Sequence, residues 1–180
     1  VGQLRVGDAA DFVIVEDLKN FNVISTYING TQVSDSTHCL FSKVTAVPIN
    51  QFNCTTKQAK DFEIQTNANH ARVIHALDGE IITKELITHI TTEKGRLLAD
   101  TKRDILTITV INRYEDAPPV SALIHGFGLS HGAIASCVGH DTHNIIAVGC
   151  DTNSLAKAVN IIIENRGGIS AVGNDREIFL

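Results

Sequence analysis

The last third of this 180-residue chain carries the pattern that most limits its fold. Apolar runs at 133–138 and 145–148 predict two short strands. The run from Asp151 to Ser154 offers several possible N-caps for a helix that ends near Arg166. Gly167 with Gly168 supplies the left-handed backbone that ends it. A third strand follows. This order of strand, strand, helix and strand predicts an α/β (α+β) fold with helices packed on a mixed sheet.

The first 35 residues have a different character, because every predicted element there is a strand. An apolar run at 11–15 predicts one strand, and Asn29-Gly30 lies between two β-prone segments. That dipeptide favours the type I′ turn of a hairpin. A polar linker follows, so we predict a short β-sandwich remnant at 1–35 and a second domain at 38–180.

The middle of the chain contains less regular signals. Residues 71–77 predict a strand, and alternation at 102–111 predicts another with one buried face. In residues 83–90, Leu86, Ile87 and Ile90 fall on one side of a helical projection. This spacing predicts a short amphipathic helix.

Composition excludes several classes of protein. The net charge of −5 gives no basic surface for nucleic acid or an anionic membrane. No apolar run reaches the about 20 residues of a membrane span. Four dispersed cysteines argue against a disulfide framework or structural zinc and favour a cytoplasmic protein. The chain has no initiator Met and stops on an apolar strand, so we expect it to be a piece of a longer protein.

The densest group of reactive side chains lies at 140–144, where a predicted strand ends. His140, Asp141, His143 and Asn144 occupy four of these five positions. Imidazole titrates near neutrality and binds divalent metals, and an adjacent carboxylate fixes its tautomer. A polar turn with exposed histidines explains the same residues. The residue types alone leave both interpretations open.

Other reactive residues have simpler explanations. His125 and His131 flank a glycine-rich connection that lacks the pattern and the Lys of a phosphate loop, so close packing of a turn is the better prediction. Cys137 precedes the polar loop, and His140 is a possible base for it. A cysteine in an apolar strand is more often a small hydrophobe, however, and we expect this of both Cys137 and Cys150. Arg113 is expected at a strand end, exposed or at a site rim.

The sequence GFGLSHGAIASCVGHDTHNIIAVG, from Gly126 to Gly149, resembles the signature of the C-terminal domain of adenine deaminases. The following helix with its two glycines is similar as well, and so is the strand from Asp104 to Arg113. The first 33 residues resemble the end of the small β domain of metal-dependent amidohydrolases. Residues 38–100 fit more loosely. Cys137, Gly139 and Thr142 depart from the family's more usual Ser, Ala and Ser.

This resemblance implies hydrolytic deamination of adenine to hypoxanthine and ammonia in purine salvage. It implies manganese or iron as the metal, held by an upstream barrel domain that this chain lacks. We accordingly expect His140, Asp141 and His143 to act in catalysis at the mouth of the barrel site, and Ser136 and Asn144 to bind substrate. The chain alone is expected to be inactive. The expected partners are adenine, the barrel domain and further copies in a homo-oligomer.

Two other functions remain open at this point. The domain is alternatively a structural or oligomerisation module whose polar loop only satisfies backbone groups. A related nucleobase amidohydrolase with another substrate is the third possibility, because the base-reading pocket is expected mostly elsewhere.

Overall fold

The computed structural model describes residues 5–47 and 49–180. The chain divides into two compact units, residues 1–48 and 49–180. The first unit is a small antiparallel sheet, and the second combines a mixed sheet with one α-helix and a 3₁₀ turn. The architecture is therefore α+β.

The first unit contains three antiparallel strands: β1 (Phe12–Val15), β2 (Val23–Ile28) and β3 (Thr31–Asp35). The predicted hairpin is confirmed, since β2 pairs with β3 through a turn in which Asn29 and Gly30 have φ of 48° and 74°. Ser25 is the one fully buried residue among those described in this unit. The three strands therefore enclose no apolar core of their own.

The second unit is built on an eight-stranded sheet with the order β13-β12-β10-β11-β8-β9-β4-β5. All neighbours are antiparallel except β4 and β9, which pair in parallel. Two further strands, β6 and β7, form a separate antiparallel hairpin. The strands are β4 (His70–Ala76), β5 (Thr83–His89), β6 (Thr91–Glu93), β7 (Arg96–Leu98), β8 (Leu106–Ile111), β9 (Val120–His125), β10 (Ala133–Ser136), β11 (Ile145–Gly149), β12 (Ile169–Val172) and β13 (Glu177–Phe179).

The helix predicted over 83–90 is wrong, because these residues form β5. Leu86 and Ile87 point to opposite sides of the sheet, and Leu86 is half-buried while Ile87 is exposed. Seven consecutive residues of β5 pair with β4. This pairing and the β-branched content of Thr83, Ile87 and Thr88 outweigh the helical spacing.

Helix α1 (Thr152–Glu164) packs on one side of the sheet. Of the four N-cap candidates at 151–154, Asp151 caps the helix, accepting hydrogen bonds from the Ser154 backbone N at 2.8 Å and the Ser154 Oγ at 2.7 Å. Among the described residues, no helix has both the length and the apolar character needed to cross a bilayer. The core under α1 consists of side chains from β8, β10, β11 and β12, among them Ile111, Ala133, Ala135, Ile145, Ala147 and Val172.

The two sides of the sheet differ in what covers them. We call the side under α1 the helix face; a second cluster on it includes Val73 and Leu123, with Leu97 of β7 packed against them. Because side chains alternate along a strand, the neighbouring residues project from the opposite side. We call that side the open face. It carries Ile134 on β10, Ile146 on β11 and Val110 on β8. Ile146 lies directly opposite Val110, and Ile134 lies opposite Val148, two residues from Ile146.

Candidate functional site

The polar loop at residues 137–144 connects the adjacent strands β10 and β11. Its first residue is tied to the chain after α1, since the Cys137 backbone N donates to the Gly168 O at 3.1 Å. The His143 N donates to the Gly139 O at 2.9 Å, which closes a tight turn inside the loop. The loop therefore has a defined backbone path between two neighbouring strands.

The strand β8 and the residues after it hold the far end of this loop. The Tyr114 hydroxyl donates to the Thr142 O at 2.8 Å. The Arg113 N donates to the Asn144 Oδ1 at 3.3 Å. The residue types in 140–144 gave no sign of this anchoring role for Arg113 and Tyr114, because both lie about thirty residues earlier in the chain.

His140 and Asp141 project fully into solvent. Their side chains are 94% and 84% exposed, with the His140 Nε2 3.5 Å from the Asp141 Oδ1. His143 is exposed as well, and its φ of 54° places it in the left-handed region. The structure thus brings His140 and Asp141 together as an ion pair when the imidazole is protonated. Such a pair can exchange protons with a ligand that docks against it.

Ser136 and Asn144 line a cleft of about 310 Å³ at the end of β10 and β11. Phe127, Ile134 and Ile146 form much of its apolar wall. The Ser136 Oγ accepts from the Val138 N at 3.0 Å, so its hydroxyl hydrogen remains able to donate. The cleft thus combines a mainly apolar wall with two polar side chains, a combination typical of small-molecule sites.

The loop does not fit a resident metal ion. In the described part of the chain, no three His, Cys, Asp or Glu side chains are grouped closely enough to hold one. Of the three titratable residues in the loop, His140 and Asp141 form the close contact, and both are almost wholly exposed. Protein sites for zinc and similar catalytic ions normally need three converging ligands.

The cysteines near the loop behave as small hydrophobes, as predicted. Cys137 is buried in the core under α1. Cys150 is partly buried, and its Sγ donates to the Leu129 O at 3.4 Å. Burial raises the pKa of the Cys150 thiol, so it is a poor nucleophile.

The glycine-rich connection at 126–128 is a packed turn, which confirms the prediction. A Cβ on Gly126 would lie 2.4 Å from the Ala76 O, and the φ of Gly126 is 104°. The Asp104 carboxylate accepts from the Gly126 N at 2.8 Å and the Gly128 N at 2.9 Å. These amides therefore already have an anionic partner. No local sequence signal predicted that Asp104, 22 residues before Gly126, accepts these hydrogen bonds.

Arg113 is a structural anchor. Its Nη2 donates to the Asn50 Oδ1 at 2.7 Å and its Nε to the Gln51 O at 2.9 Å, while its guanidinium lies 4.9 Å from the centre of the Phe52 ring. These contacts hold residues 50–52 against the end of β8. The side chain that the sequence placed at a possible site rim thus supports the loop indirectly.

Comparison with known proteins places the chain among a defined group. The family model for the adenine deaminase C-terminal domain matches residues 80–179. An adenine deaminase of Sulfurovum sp. is 51% identical over 172 residues, which cover 96% of this chain and 31% of that protein. Those of Methanosarcina barkeri and Borreliella burgdorferi are 44% and 42% identical, over 94% and 100% of this chain and 32% and 33% of those proteins.

The chain spans about a third of the length of the curated relatives it matches. The family model covers more than half of the present chain and includes the polar loop, the cleft residues and α1. The chain therefore belongs to the adenine deaminase C-terminal domain family.

Proposed function

We propose that this chain works as part of an adenine deaminase, which hydrolyses adenine to hypoxanthine and ammonia in purine salvage. The proposal is supported by the name that the relatives share and by the polar loop beside the cleft. The shared name favours adenine over another nucleobase. Cytoplasmic location and a homo-oligomeric assembly remain predictions from the sequence.

The observation that carries this proposal is the exposed His140–Asp141 pair in the loop whose Gly139 and Asn144 line the cleft with Ser136. Deamination must deliver a proton to the departing C6 amino group, and the imidazole of His140 is a group that can relay it. His143 is proposed as a second proton carrier of the loop. A carboxamide such as that of Asn144 can pair with the amino group and ring nitrogen of adenine.

We propose that the water-activating metal, manganese or iron, is held outside this chain. The barrel domain of the complete enzyme is its proposed location. The chain by itself is proposed to be inactive, and its loop to reach the mouth of a site formed mainly by the barrel.

The test is a chimera in which this chain replaces the matching third of the Sulfurovum adenine deaminase. We expect the chimera to release ammonia from adenine, and the 180-residue chain with added Mn²⁺ to release none. Asp141→Asn and His140→Ala should each lower kcat by roughly 100-fold, the low end of what a positioned acid or base contributes. Asp78→Asn is the matched control, because Asp78 is also exposed in a turn of this unit.

Two results would contradict the proposal. Turnover of adenine by the 180-residue chain alone would show that it contains its own catalytic centre. Near wild-type kcat for both loop variants would show that the loop is only a polar turn, even if the chimera is active.

A structural role is the second candidate, and a different observation favours it. The open face of the sheet is apolar, and Val110, Val120, Ile134 and Ile146 on it are exposed. A domain whose main task is to pack against another part of the enzyme would have such a face.

A further inference from the structure

The open face of the second unit carries apolar side chains that are accessible to solvent. Ile134, Ile146 and Val110, on adjacent strands, are 37%, 45% and 39% exposed. On the helix face, Ile145 and Ile111 on the same strands are 0% exposed. Part of the open face is covered, because Leu106, Ile124 and Val148 are buried there with Leu129 and Cys150 packed against them. Both sides of the sheet are thus apolar, but around Ile134, Ile146 and Val110 the open face remains accessible.

The apolar character continues across most of the sheet. Val120 and Ile178 extend the open face to β9 and β13, and both are exposed. From β9 to β13, no described strand residue on this face is charged; Arg72 and Glu85 appear at the far edge, on β4 and β5. An antiparallel sheet with one solvated side normally alternates apolar and polar residues. Large exposed apolar patches mark interaction sites.

We propose that the open face docks against the catalytic part of the adenine deaminase, the two-thirds of the relatives that has no counterpart in this chain. This inference rests on the proposed function and names the surface through which the domain acts. Permanent interfaces are more apolar than transient ones, and the open face is correspondingly apolar. A segment of the same polypeptide meets it at a high effective concentration.

The position of the polar loop supports this occupant over a second copy of the chain. Ile134 and Ile146 belong to the open face and also to the wall of the cleft that Ser136 and Asn144 line. The cleft is therefore continuous with the docking surface. Because Val138, Gly139 and Asn144 of the polar loop also line this cleft, whatever packs on the open face meets the loop that carries His140 and Asp141. The proposed function requires this of the catalytic part.

The experiment measures thiol accessibility in the 180-residue chain and in the chimera, both with Cys39→Ser to remove an exposed native thiol. Ile146→Cys reports on the open face, and Val110→Cys, directly opposite it on β8, repeats the measurement with a second substitution. Lys157→Cys on the solvent side of α1 is the control. Alkylation by iodoacetamide is followed by peptide mass spectrometry, and the buried Cys54 reports that the unit is folded.

We expect alkylation at residues 146 and 110 to be at least about tenfold slower in the chimera than in the chain alone, with Lys157→Cys unchanged. Equal rates for the open-face thiols in both proteins would overturn the docking proposal. A second outcome would also overturn it: the open-face thiols are protected in the 180-residue chain alone, and sedimentation shows a dimer that Ile146→Asp dissociates. A second copy of the chain would then be the occupant.

The two proposals fail in different ways. An inactive chimera with protected open-face thiols would contradict the proposed function and leave the docking surface in place. An active chimera with freely reactive thiols would contradict the docking surface alone.

Discussion

The Asn160 side chain of α1 makes two hydrogen bonds to the backbone of Lys57, in the segment before β4. Removing this side chain gives a quantitative prediction. The Asn160 Oδ1 accepts from the Lys57 N at 2.8 Å, and the Asn160 Nδ2 donates to the Lys57 O at 2.9 Å. Lys57 itself is buried. Asn160→Ala therefore leaves both backbone groups of a buried residue without these partners.

The cost follows from those two groups. A buried polar group that loses its partner costs about 1–3 kcal/mol. Asn160 is half-buried, so some rehydration is expected, and Ala is a better helix former by roughly 0.5 kcal/mol. The expected net loss in the free energy of unfolding is about 2–3 kcal/mol. Asn153→Ala, exposed in the first turn of the same helix, receives the same propensity gain and should be neutral or slightly stabilising.

Urea unfolding followed by circular dichroism at the helical band measures this difference, because α1 is the one α-helix of the described residues. A loss below about 1 kcal/mol relative to Asn153→Ala would refute the reasoning, since it would mean that the Lys57 peptide group finds other partners or water at no cost.

Three further predictions concern the glycines, the loop and the pH dependence. Gly132→Ala should cost at least about 2 kcal/mol in urea unfolding, since a Cβ there would lie 2.0 Å from the Val172 O at a φ of 75°; Gly139→Ala, with no atom within 4 Å, should be neutral, and equal effects would contradict this. Tyr114→Phe should speed hydrogen exchange of the His143 amide about fivefold, as loss of one hydrogen bond of about 1 kcal/mol implies; an unchanged rate would show that the Thr142 contact does not hold the loop. The Lys57 ammonium and then the Thr55 amide and hydroxyl lower the pKa of Asp116 to about 2. Because the folded pKa lies below the unfolded value of about 3.9, the stabilisation is present above about pH 4 and is lost toward about pH 2. The difference in the free energy of unfolding in urea between the native chain and Asp116→Asn should therefore disappear over that range. A difference that stays constant would contradict this prediction.

Local signals in the sequence determined several elements correctly. The Asn29-Gly30 turn needs positive φ at two successive residues, and this requirement is visible in the dipeptide itself. Helix α1 is bounded by Asp151, whose side chain caps the first turn, and by two glycines with positive φ. In each case the atoms that decide the structure lie within a few residues of one another.

The sequence by itself thus determined the strands around the polar loop, the helix after it and the concentration of His140, Asp141 and His143 in one turn. Tertiary structure decided that 83–90 is a strand, because pairing with β4 is a contact between segments that periodicity within one segment does not contain. It also decided that Tyr114 and Arg113 anchor the loop and that Asp104 occupies the glycine amides, across 22 to 31 residues of chain. The accessible open face likewise follows only from the fold. The sequence of a strand shows that both of its sides are apolar, but it does not show which side α1 covers.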